Sequence, residues 1–534
     1  MKGKLLILLI FFLVVWLYRP TLNAYFVSDD YEWWRLVRNL NFFDSLRLFL
    51  PSIWGGIVHP QFQYYRPLVA WTIWFNTVIL PMTPLAFHLT NLAIHLANIG
   101  LVIIIGSLIF GSSQAAILSG ILFAVFPYQR EAVNYSVSGR YNLLMTSFYL
   151  LAVLFLFYFA RSGKSRYLLF SGLAFFLSLL SLESAITFPL SVALILFTTG
   201  EKTLTLFKRY RFYFLVLSFI VLAYFLLRNL ALRLVGPPLI PGYMADMKIA
   251  GVFKLYLVGL AVLAVGRFIS ELKRGKKIPW PLGQGRFIIR KKRSLLVLVG
   301  KSRLILLYLS IGIFILPTAL IPTQERHLYL PSVGMALFAG GALAAWFSFV
   351  ADKWLKVGLA VVIFLVLGGS SFFVYRRNQE WGEAAGIARE ISVQLSGVVK
   401  RVKPGQGILV VNIPDNLNGV YIYRVHEKEA VEFISRTVPP KMIFTPKTIG
   451  IQSDAQLIDP TSLALTSSQG FFLFRPQKDE QEKLVIRVPE YTAIQKNANT
   501  LQISLNQENF DVGKDEIYVY KNGRLIPIQP KKND

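Results

Sequence analysis

Cysteine is absent from the 534 residues, which excludes disulfides, thiolate metal sites and nucleophilic thiols. Acidic residues are scarce, 29 Asp and Glu against 56 Lys and Arg. Charged residues make up 16 % of the chain, where a soluble protein carries about a quarter. No HExxH pair, Ser-His-Asp pattern or glycine-rich phosphate loop occurs. The five histidines are scattered. His88 and His95 fall on one predicted helix but too far apart along it to share a metal ion, and read as packed, hydrogen-bonded groups. What is plentiful is apolar: 54 % of residues are hydrophobic and 14 % aromatic. That is the composition of an integral membrane protein.

The net charge of +27 is unevenly spread. Up to residue 380 there are 37 basic and 12 acidic residues; beyond it there are 19 and 17. The excess belongs to the apolar part, where loop-borne Lys and Arg set orientation. No aromatic motifs are interleaved with basic strands, so nucleic acid is not expected as a partner. The chain divides by composition into a membrane part, 1–380, and a tail, 381–534.

A first apolar run, Leu5 to Tyr18, meets no small-residue cleavage site and reads as an uncleaved helix with its N-terminus in the cytoplasm. Residues 19 to about 84 are rich in Trp, Tyr and Pro, with short apolar pieces suited to interfacial helices. Further spans are expected near 85–109, 114–127, 142–160, 167–182, 185–199, 212–228, 249–266, 304–321, 329–350 and 357–375, eleven with the first. Alternating from a cytoplasmic start, the inner segments hold 23 basic and 3 acidic residues and the outer ones 14 and 9, as the positive-inside rule requires. The basic run between Lys273 and Arg293 then lies inside, against anionic headgroups. Counting 67–80 as a further span would invert every later loop. The predicted fold is an all-α polytopic bundle with about 11 transmembrane helices, carrying a small α/β or β-rich extracytoplasmic domain. That tail should open on an amphipathic helix, 383–399, followed by strands such as Ile408 to Ile413 and Glu516 to Tyr520, with turns at Pro414-Asp-Asn and Lys521-Asn-Gly. The expected location is a plasma or inner membrane.

On this topology the informative acids face outward. Asp29 and Asp30, in Phe26-Val-Ser-Asp-Asp-Tyr-Glu-Trp-Trp, stand just past the first helix, where a carboxylate is costly and suggests function. Either could serve as general base or metal ligand; the plain alternative is that Ser28 or Asp29 caps a short helix running through Glu32 to Arg38. Glu131, in the loop 127–140, could share a metal or orient an acceptor, with Arg130 or Arg140 on a phosphate; the plain alternative is an Arg130–Glu131 surface pair. Arg66 and the run Gln324-Glu-Arg-His, with Glu325, Arg326 and His327, put further arginines at membrane boundaries, where a planar fork suits a lipid-linked phosphate. Snorkelling of Arg66 and a local Glu325–Arg326 pair are the alternatives. Glu183 falls between two spans.

Together these segments resemble the GT-C superfamily of polytopic glycosyltransferases, and most closely the membrane half of the tetratricopeptide-containing transmembrane O-mannosyltransferases. The likeness is carried by Phe26 to Asp30 with Asn39, Trp54-Gly55 with Tyr65-Arg-Pro-Leu, and Phe87-His-Leu-Thr-Asn-Leu-Ala-Ile-His. It continues in Pro127 with Glu131-Ala-Val and Gly139-Arg140, Leu180-Ser-Leu-Glu-Ser-Ala-Ile-Thr and Glu325-Arg-His-Leu-Tyr-Leu-Pro-Ser-Val-Gly. The resemblance implies a polyprenyl-phosphate-linked, mannose-like hexose donor and an inverting single displacement onto an acceptor hydroxyl. It also implies Asp29 or Asp30 as the catalytic acid of the first outer loop, Glu131 as that of the second, and Arg66, Arg140 and Arg326 as candidates for the lipid phosphate. A divalent Mg or Mn ion is left open, with Asp29, Asp30 and Glu131 as its ligands if one is used. The family's helical repeats are missing, a β-containing tail stands instead, and Leu182 replaces the Lys often found before the acid at 183. The acceptor is therefore a protein, a lipid or a glycan. A polytopic transporter or flippase is the rival of another class; it would show symmetric halves and midplane charges.

Overall fold

The computed structural model describes residues 2–50, 64–80, 82–197, 203–235, 324–350 and 352–424, and in the tail 426–437, 441–451, 453–459, 461–473, 476–511 and 514–528. Trp54 and Gly55, the expected spans 249–266 and 304–321, and the basic run 273–293 lie outside them. The chain forms two compact units: Met1–Arg19 with Leu36–Arg376, and Pro20–Arg35 with Arg377–Asp534.

The first unit is helical. Among the described residues six helices are long and apolar enough to cross a membrane: Gly3–Thr21, Pro84–Phe110, Arg140–Ser162, Tyr210–Ala231, Glu325–Ser348 and Lys353–Val399. Pro67–Ile79, Ser113–Ala124 and Arg166–Leu179 are apolar but shorter. At 1.5 Å per residue each reaches only about 20 Å, against a hydrocarbon layer of about 30 Å. The expected 114–127 and 167–182 spans are thus shorter than the apolar runs suggest. The first ends before Pro127, which opens a 3-10 turn; the second ends at Leu180, before a 3-10 turn over Glu183–Thr187.

Small residues let two of these helices touch. A Cβ on Gly340 would lie 2.5 Å from the backbone nitrogen of Ser119, so Tyr329–Phe349 and Ser113–Ala124 approach backbone to backbone, as is common between membrane helices. Polar ties cross the apolar interior. Asn91 donates to the carbonyls of Tyr135 (2.7 Å) and Ser136 (3.1 Å), and Asn98 donates to Leu143 O and the Tyr329 hydroxyl. His88 Nε2 meets Ser136 Oγ at 3.0 Å and His95 Nδ1 meets Tyr329 OH at 2.7 Å, so both histidines are packed, hydrogen-bonded groups.

The expected span 357–375 and amphipathic helix 383–399 are one helix, Lys353–Val399. No proline interrupts it. Its first half is exposed apolar surface, including Trp354, Phe364, Leu365 and Phe372. Its second half buries Trp381, Ala384, Ala385, Ala388, Ile391, Leu395 and Val398, the three-and-four spacing of one helix face.

In the second unit Ile408–Val411 lies between two parallel neighbours, Glu516–Lys521 and Met442–Phe444, with Arg524–Ile528 antiparallel at the edge. Asn522 and Gly523 both have positive φ, as a two-residue hairpin requires, so the expected turn is there. The expected turn at Pro414-Asp-Asn is instead a short strand, Pro414–Leu417, paired on both sides. A six-stranded antiparallel sheet, in the order 453–459, 462–467, 500–505, 491–497, 484–488, 477–478, completes the fold. Leu463, Leu465, Leu501 and Ile503 from that sheet share one core with Leu409, Val411, Ile517 and Val519. The alternation in both strand sets is the period of two that buries one face of a sheet.

Candidate active site

The loop 127–140 is not a loose outer turn. Pro127–Gln129 is a 3-10 turn, Arg130–Asn134 a short helix, and Arg140 begins the next long helix. Gly139 makes this possible: a Cβ there would sit 2.1 Å from the carbonyl oxygen of Ala132. Glu131 and Arg130 both reach a second segment, Gln324-Glu-Arg-His. The two segments exchange partners, Arg130 with Glu325 and Arg326 with Glu131 (3.3 Å). Glu131 also accepts from the backbone nitrogen of Arg326 at 3.0 Å. Arg130, Glu131 and Arg326 are buried. His327 accepts from the Gln324 backbone nitrogen and so caps its own turn.

A second group lies on Tyr141. Arg66 binds Glu183 at 3.2 Å, and Arg228 approaches the other oxygen of that carboxylate at 3.9 Å. The Arg66 guanidinium lies 4.4 Å from the centre of the Tyr141 ring, and that of Arg326 lies 5.5 Å from it. The sequence pointed to Arg66, Glu131, Glu183 and Arg326 separately; the fold brings both arginines, each with its glutamate, to one aromatic ring. Arg66 and Arg228 share Glu183, Arg130 pairs with Glu325, and Arg326 with Glu131. Arg66, Glu183 and Arg228 keep about a fifth of their side-chain surface open (17, 24 and 25 %), so these two guanidinium groups are within reach of an anion.

Arg140 is engaged differently. It is fully buried, and its guanidinium donates to Asn91 Oδ1 (3.0 Å), Asn76 Oδ1 (3.1 Å) and the Thr72 carbonyl (3.3 Å). It ties together the helices Pro67–Ile79, Pro84–Phe110 and Arg140–Ser162. Arg228 and Tyr141 were missed by sequence reasoning. Arg228 stood at the end of an apolar run, a weak signal; nothing local marked Tyr141.

In the second unit the two aspartates separate. Asp30 is 1 % exposed, begins the helix Asp30–Val37, and accepts from the Val27 backbone nitrogen at 3.3 Å. Its carboxylate thus reaches back to the backbone just before the helix. Asp29 keeps 26 % of its side-chain surface exposed and accepts from Ser28 Oγ at 3.1 Å. Ser28 has φ +50°, a left-handed conformation that costs about 1 kcal/mol or more for a residue with a Cβ. Its backbone nitrogen is held by the Ile422 carbonyl at 2.8 Å. His426 Nε2 lies 3.7 Å from Asp29 Oδ1. Among the described residues no three His, Asp or Glu side chains are gathered in a way that could hold a metal ion.

Comparison with known proteins adds a name to part of the chain. Residues 58–227 match the family described as dolichyl-phosphate-mannose-protein mannosyltransferase. A protein O-mannosyl-transferase of Caenorhabditis elegans is 32 % identical over 145 residues, 26 % of this chain and 21 % of that protein. One from Drosophila melanogaster is 32 % identical over 143 residues, 26 % and 16 % of the two chains. The human protein O-mannosyl-transferase TMTC3 is 28 % identical over 129 residues, 24 % and 14 %. The matched stretches thus span at most 21 % of the length of these relatives. Among solved structures, ArnT from Cupriavidus metallidurans bound to undecaprenyl phosphate overlays 82 % of this chain and 85 % of its own at 13 % identity, TM-score 0.45. The oligosaccharyltransferase AglB from Archaeoglobus fulgidus, with an inhibitory peptide and a dolichol-phosphate, overlays 83 % and 64 % at 11 % identity, TM-score 0.42. Over roughly a third of its length, then, the chain is similar to protein O-mannosyltransferases, which are glycosyltransferases.

Proposed function

We propose that this protein is a multi-pass membrane glycosyltransferase that moves a mannose-like hexose from a polyprenyl-phosphate carrier to an acceptor hydroxyl on the outer face. The acceptor oxygen attacks the anomeric carbon as the bond from that carbon to the phosphate oxygen breaks, with inversion. The hydroxyl proton passes to the Asp29 carboxylate, and the electron pair leaves with the polyprenyl phosphate. The phosphate is already a competent leaving group, so the chain supplies a base and charge stabilisation. Asp29 is the base because Asp30 spends its carboxylate on the turn. The observation that carries the donor assignment is the pair of arginines that meet on the Tyr141 ring, each held by a glutamate, in an apolar helical unit. Arg66 and Arg228 hold the phosphate; Arg326, fixed by Glu131, adds field behind them. A polyprenyl-phosphate sugar is the anion suited to an apolar unit, and the matched family's name specifies such a donor.

A lipid or glycan acceptor is the second reading, favoured by a tail built on β-sheets where the resemblance expects helical repeats. The test is transfer by purified protein in lipid, with polyprenyl-phosphate mannose as donor and a Ser/Thr peptide or a lipid-linked glycan as acceptor. Transfer should fall at least about a thousandfold in Asp29→Asn and much less in Asp30→Asn. Loss in Asp30→Asn with full activity in Asp29→Asn would reverse the assignment, and no transfer from any polyprenyl-phosphate hexose would remove it.

A further inference from the structure

His426 is the one histidine of the tail. It sits at the start of the helix Glu427–Ser435, with a side chain only 5 % exposed. Three carboxylates face it: Asp29 Oδ1 at 3.7 Å and Glu32 Oε2 at 4.0 Å from Nε2, and Glu429 Oε2 at 4.0 Å from Nδ1. Glu429 is also bound by Arg35 at 3.2 Å. Two residues of the first outer loop and one of the tail thus share a single imidazole. The same stretch of tail holds the loop again through the Ile422 carbonyl on the strained Ser28, and through Phe433, whose ring lies 5.3 Å from Phe26 and 4.9 Å from Trp34.

We propose that His426 is the positioning residue for Asp29: the tail aims the base of the first outer loop. The inference rests on the transferase reading above and adds to it a role for the second unit that the resemblance does not supply. Two carboxylates, Asp29 and Glu32, crowd the Nε2 edge, and like charges at such distances repel. An N–H donor between them lets both point inward. Without it, Asp29 turns toward water and loses its aim at the acceptor hydroxyl. The Nδ1 edge faces Glu429, so the two ring nitrogens carry separable duties.

The test uses the full-length protein in lipid and the pair His426→Gln and His426→Asn. Glutamine carries its amide nitrogen about where Nε2 stands, and asparagine about where Nδ1 stands. Both are polar and keep the helix start occupied. We expect His426→Asn to lower kcat about ten- to a hundredfold, the range for residues that orient a catalytic group. The donor KM should stay within about twofold, as for an interaction made only in the transition state. His426→Gln should recover most of the lost kcat, with the thermal midpoint of the two variants alike. Equal kcat in the two variants, or a loss that tracks the thermal midpoint, would overturn the positioning role while an inactive Asp29→Asn left the transferase reading intact. A wild-type protein that transfers no sugar would sink the reading itself, and the inference with it.

Discussion

At the scale of single residues, neighbours in sequence have unrelated environments. Asp29 and Asp30 are adjacent, yet the first keeps part of its carboxylate at the surface and the second is buried against the Val27 backbone. Arg66 offers two nitrogens to Glu183 Oε2, at 3.2 and 3.4 Å. Arg66→Ala is expected to raise the donor KM about tenfold or more, the worth of a hydrogen bond to a charged group. Arg66→Lys should recover only part, because an ammonium keeps the charge but not the fork; equal KM in the two variants would remove Arg66 from the phosphate site. In the tail, burial pushes the Asp415 carboxyl above the usual carboxylate range, with the nearby Arg424 opposing. A carboxyl whose folded pKa is raised binds its proton more tightly in the native state. Its ionisation therefore removes stability as pH rises through the folded value, and removes none below the unfolded value of about 3.9. Asp415→Asn should flatten that part of the thermal midpoint against pH, and an unchanged slope would show that the group does not titrate on unfolding.

At the scale of elements, close approach and exchanged ion pairs hold the helical unit. Gly139→Ala puts a methyl against the Ala132 carbonyl, and Gly340→Ala puts one against Ser119. Each should cost about 1–3 kcal/mol, the range for overpacking. Gly358 has nothing near its Cβ direction, so Gly358→Ala should be neutral or stabilise the helix by up to about 1 kcal/mol. Thermal midpoints of the three variants give the comparison. The Glu131–Arg326 pair is buried, and removing either charge alone should cost about 3–5 kcal/mol. A double-mutant cycle with Glu131→Gln and Arg326→Gln should show strong coupling; additive losses would mean that the two side chains do not act together.

At the scale of the whole molecule, a membrane part and a tail are not separated by one cut in the sequence. Residues Pro20–Arg35 belong to the compact unit that contains the tail. Tyr25, Phe26, Tyr31 and Trp34 all lie around Phe433. Truncation after Arg376 should therefore expose this aromatic surface, and limited proteolysis should cut within 20–35, where the full-length protein resists. Phe433→Ala in the full chain should cost about 3–5 kcal/mol and open the same segment to protease. A truncated protein as resistant there as the full chain would show that the segment folds without its partner.

Sequence alone determined the elements whose cause is local. Apolar runs of sufficient length marked the helices, alternation marked strands at Ile408 and Glu516, and Asn522-Gly523 marked a hairpin. The polar motif from Phe87 to His95 was legible as packing because buried amides and imidazoles must find partners. What tertiary structure decided were the partnerships between distant residues. It crossed the pairs of Arg130, Glu131, Glu325 and Arg326, set two arginines on Tyr141, and put His426 beside Asp29. Such pairings depend on which surfaces meet after the chain folds, and contacts spanning nearly four hundred residues leave no periodicity for a sequence to show.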